Sequence, residues 1–169
     1  MAKVPKTIVV LLITLTCVGC DQATKLVAKQ YLAPAAFFSF AGDTLRLQYA
    51  ENTGAFLSVG AALPDPWRHL VFTVLVGLFV FGLLGYLLFS RSLPANAVTC
   101  LSFVFAGGIS NLIDRIAYDG RVIDFLNVGI GPLRTGIFNV ADMAITFGAL
   151  ILAFQSYRHK ETAEKFKSP

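Results

Sequence analysis

Three long runs of this chain carry no charge or a single one, and each can cross a bilayer. Leu70 to Phe89 is 20 residues without a charge, Leu93 to Ile113 is 21, and Thr135 to Tyr157 is 23 with Asp142 as its one charge. A spanning helix needs about 20 apolar residues. In lipid every backbone polar group must be satisfied internally, so runs of this kind fold as helices. A fourth run, Thr7 to Cys20, reaches spanning length only if its helix continues through Asp21 towards Ala28. Composition agrees: 56% of residues are hydrophobic and 14% charged, against about a quarter charged in soluble domains. The expected fold is a mainly α integral-membrane domain over residues 1–169, with spans at about 7–28, 68–89, 94–114 and 136–157.

The first run also has features of a cleaved leader. Lys3 and Lys6 precede a short apolar core that ends in Cys17-Val18-Gly19-Cys20. Helical spacing continues through Asp21-Gln22-Ala23-Thr24-Lys25, however, which favours a retained helix. Four spans put both termini on one side. Lys3, Lys6, Arg91, Arg158, Lys160, Lys165 and Lys167 would lie on that side; Lys25, Lys29, Arg46, Arg68, Arg115, Arg121 and Arg134 would lie on the other. The counts tie, but the first set sits in much shorter segments and the second is interspersed with acids. By the positive-inside rule both termini are therefore expected in the cytoplasm. The net charge of +4 then suits the anionic inner leaflet and calls for no nucleic acid.

Two links, at about 36–62 and 116–134, fall on the same outer face. Thr44-Leu45-Arg46-Leu47-Gln48-Tyr49 alternates polar and apolar residues, the period of a strand. Val122-Ile123-Asp124-Phe125-Leu126 is short, apolar and β-branched; Tyr118-Asp119-Gly120 reads as a turn before it, and Gly129-Ile130-Gly131-Pro132 is expected to end it. A small extracytoplasmic β-sheet resting on the membrane surface follows from these links. Ser90-Arg91-Ser92-Leu93-Pro94 is a tight turn on the inner side, and Trp67 suits the interface.

An ionisable residue inside a membrane run is costly and marks a candidate functional site. Asp142 is such a residue, and if its helix starts near Ile137 it lies about one to two turns in, ~5–10 Å along the axis. Asp124, 18 positions earlier, is a possible mate. Two close carboxylates share a proton, so one can act as base on water and the other as acid to a carbonyl oxygen. Asn139 lies three positions before Asp142 and would share its helix face. Asn111, Asp114 and Arg115 end the third run. There Arg115 would pair with Asp114 or anchor the helix at the interface, and Asn111 would bond backbone or substrate. Asp21 and Lys25 have the favourable i, i+4 orientation, which a helix-end ion pair explains as well as a site does. Asn52, followed by Gly54, could bond a peptide backbone or simply make a turn. Cys17 and Cys20, spaced C-x-x-C, and Cys100 read as small apolar filler. His69 and His159 fall at opposite membrane faces, so no metal or other cofactor is called for. Ser58 is the one serine in the sequence neighbourhood of Lys25 that a Ser/Lys peptidase could use, and it lacks the context. Proton-coupled transport and a structural assembly role remain as alternatives, although the acids cluster towards one face rather than across the bilayer.

Taken in order, Asp21-Gln22-Ala23-Thr24-Lys25, Asn52-Thr53-Gly54-Ala55-Phe56, Asn111-Leu112-Ile113-Asp114-Arg115, Val122-Ile123-Asp124-Phe125 and Phe138-Asn139-Val140-Ala141-Asp142 resemble the motifs of the lipoprotein signal peptidases (signal peptidase II). The resemblance spans nearly the whole chain. It implies an aspartic endopeptidase of the bacterial inner membrane, monomeric, cutting diacylglyceryl prolipoproteins just before the lipidated Cys near the extracytoplasmic face. It also implies contact with membrane lipid and inhibition by globomycin-type lipopeptides. The family's catalytic pair falls on Asp124 and Asp142, and its supporting residues fall on Asp21, Lys25, Asn52, Gly54, Asn111, Arg115 and Asn139. Two departures stand out. Ser110 occupies a usual Gly position; serine is small and can bond back to its own helix, so it is expected to be tolerated there. The Asn52 block reads Gly-Ala-Phe-Leu-Ser rather than the commoner Gly-Ala-Ala-Phe-Ser.

Overall fold

The computed structural model describes residues 5–33, 37–54, 60 and 62–165; Ala55, Phe56 and Ser58 lie outside them. Helix α1 runs unbroken over Lys6–Tyr31, so the first run does continue through Asp21 and Lys25. Strands β1 (Phe38–Phe40) and β2 (Leu45–Asn52) follow. The second span, Asp65–Phe89, comprises α2 (Asp65–His69), a π-helical stretch at Leu70–Leu75 and α3 (Val76–Phe89). Then come α4 (Ala95–Ala117), β3 (Val122–Ile130), β4 (Leu133–Arg134) and α5 (Val140–Lys165).

Four helices are long and apolar enough to cross a membrane. Leu12, Leu15, Leu78, Phe79, Phe147 and Leu150 point outward and exposed. A large bare apolar surface would be a liability in water; around a bundle it is the lipid face. The Lys6 Nζ donates to the Ser90 carbonyl, which places the start of α1 beside the turn between α3 and α4. The sheet lies at the other end.

Lipid is as apolar as leucine, so helices in a bilayer associate by close packing and polar contacts rather than by hydrophobic burial. Helix α4 packs against α1, α3 and α5. Its contact with α5 depends on missing side chains. A Cβ on Gly107 would lie 2.3 Å from the Ala141 carbonyl oxygen and 2.7 Å from Ile145, and one on Gly148 would lie 2.6 Å from the Cys100 carbonyl oxygen. Gly107→Ala is therefore expected to destabilise the bundle by about 1–3 kcal/mol, as overpacked sites do. Gly82 faces open space, so Gly82→Ala in the same helical context should leave thermal unfolding in detergent unchanged or slightly improved.

The sheet is antiparallel in the order β1-β2-β3-β4. Helix α4 ends in a Schellman turn: the Gly120 N–H bonds the Arg115 carbonyl at 2.7 Å, with Asp119 left-handed at φ 53. That turn swings the chain into β3. Glycines were expected to end this strand near Gly129. It runs on to Ile130 instead and reverses at Gly131, φ 55, into β4. Gly129 is part of the pairing, since a Cβ there would strike the Leu133 carbonyl oxygen at 2.5 Å. The register between β2 and β3 shifts between Leu47 and Ala50, then resumes with Ala50 opposite Asp124 and Asn52 opposite Val122. Val122 to Phe125 of β3 and Asn52 of β2 are buried in this half of the sheet. Phe125 joins Ala28 of α1 and Leu32, the residue that caps that helix, in a small apolar cluster.

Candidate active site

Helix α5 starts three residues later than the sequence suggests, at Val140 rather than near Ile137. Phe138 is held by the sheet: its carbonyl accepts from the N–H groups of Phe125 and Leu126, and its own N–H bonds the Leu126 carbonyl. Asn139 is consequently the N-cap instead of a residue within the helix. Its Oδ1 accepts the Asp142 N–H at 2.8 Å, and Asp142 Oδ2 reaches back to the Asn139 N–H at 3.3 Å. This is the reciprocal arrangement of a capping box. Asp142 lies in the first turn, not one to two turns in. The Ala141 N–H, another group the helix leaves unpaired, is taken by Asp21 Oδ1 of α1 at 2.8 Å.

Asp124 and Asp142 are both buried and meet at Asn139. Asn139 Nδ2 donates to Asp124 Oδ1 at 2.7 Å, while its Oδ1 holds the Asp142 amide. The second oxygen of Asp124 accepts from Asn52 Nδ2 at 2.9 Å, and Asp142 Oδ1 accepts from Asn111 Nδ2 at 2.9 Å. Asn111 thus bonds side chains, not backbone. Burial, followed by the charge of Asp142, pushes the Asp124 carboxyl up to about 7, against the donors on its oxygens. Neither carboxylate has its acceptor capacity filled by these bonds, since each oxygen carries two lone pairs.

Asn52 is aimed by the chain that follows it. Its Oδ1 accepts the Gly54 N–H at 2.9 Å, a local turn that leaves Nδ2 facing Asp124. Arg115 Nη2 donates to the Gly54 carbonyl at 2.9 Å and fixes that turn. The expected Arg115–Asp114 pair does not form. Asp114 instead meets Lys25, whose Nζ lies 2.9 Å from Asp114 Oδ2, 2.7 Å from Asp21 Oδ2 and 2.9 Å from Asn111 Oδ1. The ammonium thereby uses all three of its donors. The nine residues expected at the site are brought together in one buried network. Asp114, Gln22 and Ser110 belong to it as well and were not expected there. Gln22 Nε2 donates to Asp114 Oδ1 at 2.8 Å and to Ser110 Oγ at 3.1 Å. Ser110 Oγ donates across to Asp21 Oδ2 at 2.7 Å rather than back to its own helix. Gln22 and Asp114 stand inside the motif blocks and Ser110 immediately before one, which was the available signal; their mutual partners, some 90 positions away, left no spacing to read.

Four apolar helices bearing a surface sheet, with two buried carboxylates joined by asparagines, define a membrane protein equipped for acid–base chemistry. Residues 13–158 match the model of the family described as signal peptidase (SPase) II. The chain belongs to that family of peptidases. It is 36% identical over 138 residues to a lipoprotein signal peptidase of Paraburkholderia phymatum (strain DSM 17167 / CIP 108236 / LMG 21445 / STM815), covering 82% of this chain and 81% of that one. It is 33% identical over 145 residues to the enzyme of that name from Moorella thermoacetica (strain ATCC 39073 / JCM 9320), covering 86% and 90%. A solved bacterial membrane enzyme shares the fold with a TM-score of 0.77 at 23% identity, covering 90% of both chains.

Proposed function

We propose that this protein is an intramembrane aspartic endopeptidase that removes the signal peptide from diacylglyceryl-modified prolipoproteins, cutting just before the lipidated Cys. The observation that carries the reading is the buried Asp124–Asn139–Asp142 arrangement at the sheet end of the bundle. The pair holds one proton. Its ionised member takes a proton from a water molecule, and the oxygen of that water attacks the carbonyl carbon of the scissile peptide. The protonated member gives its proton to the carbonyl oxygen. Collapse of the tetrahedral species breaks the C–N bond: the proton taken from water passes to the leaving amine of the Cys, and a hydroxyl proton of the tetrahedral species returns to the pair, which again holds one proton. Asn52, Asn111 and Asn139 keep the carboxyl groups oriented, and burial strengthens each of these interactions. The names of the relatives support the prolipoprotein substrate.

The site lies towards the extracytoplasmic face of the bacterial inner membrane, with both termini cytoplasmic and a monomer as the working unit. The acyl chains of the substrate stay in lipid while its peptide crosses the site, and a globomycin-type lipopeptide competes there. The test is incubation of the purified full chain, in bilayers, with a prolipoprotein carrying diacylglycerol and with its unmodified form. Mass spectrometry should find a product that begins at the lipidated Cys, and little cleavage without the lipid. Intact substrate in both reactions, or a cut elsewhere, would overturn the proposal.

A further inference from the structure

Asp21 and Asp114 do the same thing on opposite sides of the site. Asp21 Oδ1 accepts the N–H of Ala141, the residue before Asp142; Asp114 Oδ2 accepts the N–H of Ile123, the residue before Asp124, at 3.0 Å. One ammonium, Lys25 Nζ, joins the two carboxylates. Gln22 and Ser110 close the ring on its other side, linking Asp114 Oδ1 through Ser110 Oγ to Asp21 Oδ2. Asp21, Lys25, Ser110 and Asp114 are each 0–1% exposed. Burial of two acids against one base is costly unless every lone pair and proton has a partner. Here the partners include the two backbone amides that set where the proposed dyad sits.

We infer that Asp114, Gln22 and Ser110 are positioning residues, members of a buried clamp that fixes the separation of Asp124 and Asp142 through the backbone amides of Ile123 and Ala141. The clamp rests on the aspartate-pair reading. Helix α1 contributes Asp21, Gln22 and Lys25, and α4 contributes Ser110 and Asp114; neither helix carries a member of the pair. The clamp therefore ties the strand bearing Asp124 and the helix bearing Asp142 to two other elements. A displacement of ~1 Å in a reacting group can cost about 100-fold in rate, so the clamp acts on turnover and not on affinity.

The test uses Asp114→Asn and Ser110→Ala in the full chain, with active sites counted by titration with a tight-binding inhibitor. Asp114→Asn removes the charge that Lys25 bridges. Ser110→Ala deletes one oxygen and threatens folding least. Expected are a fall in kcat per titrated site of about 100-fold for Asp114→Asn and about 3- to 10-fold for Ser110→Ala, with KM within twofold. Hydrogen exchange should quicken in the Ile123 segment for the first variant and in the Ala141 segment for the second. If Asp114→Asn does not fold, Ser110→Ala decides. Wild-type kcat per site, or a loss confined to KM or to the number of sites, would overturn the clamp. Asp124→Asn and Asp142→Asn run alongside: activity in both would overturn the pair itself, whereas inactivity in both with unchanged Ser110→Ala would overturn the clamp alone.

Discussion

Asp124→Asn and Asp142→Asn are each expected to lower kcat for prolipoprotein cleavage by about 10⁴-fold, the upper range for loss of a positioned acid or base. An amide has nearly the volume of a carboxyl but neither takes nor gives the proton. Asn139, Asn52 and Asn111 would still surround the site, so both variants should fold and bind a lipopeptide inhibitor. Full activity in both purified variants would remove the pair from the mechanism. Dependence on pH gives a second measure. With Asp124 pushed up to about 7 by burial and by Asp142, kcat/KM in the wild type should fall above about pH 7, as the pair loses its shared proton. The stability of the same group runs in a definite direction. Its folded value lies above the ordinary carboxylate value near 3.9, so between about 4 and 7 the native state keeps a proton that the unfolded chain releases. Stability is lost as pH rises through that window and levels off above it. Asp124→Asn should therefore be as stable as wild type or more so at pH 8, and gain nothing at pH 4. Thermal unfolding at the two pH values checks this. A variant that is inactive yet more stable at pH 8 identifies a carboxyl retained for chemistry at the expense of the fold.

The helices could be read from the sequence because the bilayer imposes a length, and Leu70 to Phe89 or Leu93 to Ile113 meets it with no tertiary information. Their ends could not. Asn139 looks like the inside of a helix from hydropathy alone, because Ile137 and Phe138 extend the apolar run. It becomes a cap because a sheet formed by distant residues takes Phe138 first. Strand β1 is three residues long, too short for its alternation to register. Asp142 could be singled out because its cost in lipid is local. Asp124 needed a partner to look unusual, and the family motifs supplied it. Asp114 pairs with Lys25 and not with its sequence neighbour for a clear reason. Its neighbour Arg115 is the nearest charge in sequence, but adjacent residues on a helix point about 100° apart. Asp114 faces α1 and meets Lys25, while Arg115 faces the Asn52 turn. Ser110 behaves similarly. Bonding back to its own helix was the local option, and Asp21 on α1 offered a charged acceptor instead.

The largest expected loss of stability comes from Lys25→Met. Methionine fills much of the same volume and suits a helix, so packing and propensity change little. What disappears is the only cation that either Asp21 or Asp114 contacts within 4 Å among the described residues. Ser110, Gln22 and the amides of Ala141 and Ile123 still donate to these acids, but two buried carboxylates would face each other without a counter-charge. Removing one partner of a buried ion pair typically costs about 3–5 kcal/mol. At ~2–4 °C per kcal/mol for a chain of this size, thermal unfolding in detergent should fall by about 6–20 °C. Adding Asp21→Asn and Asp114→Asn to Lys25→Met makes the cluster neutral, and neutral replacement of a buried ionic group is often close to isoenergetic. The triple variant should recover most of the lost stability. It should not recover turnover, because the amides before Asp124 and Asp142 would no longer be held by charged acceptors. Lys25→Met unfolding within 2 °C of wild type would mean that the buried charges are not balanced as described. A triple variant with full kcat would mean that balance is all Lys25 provides.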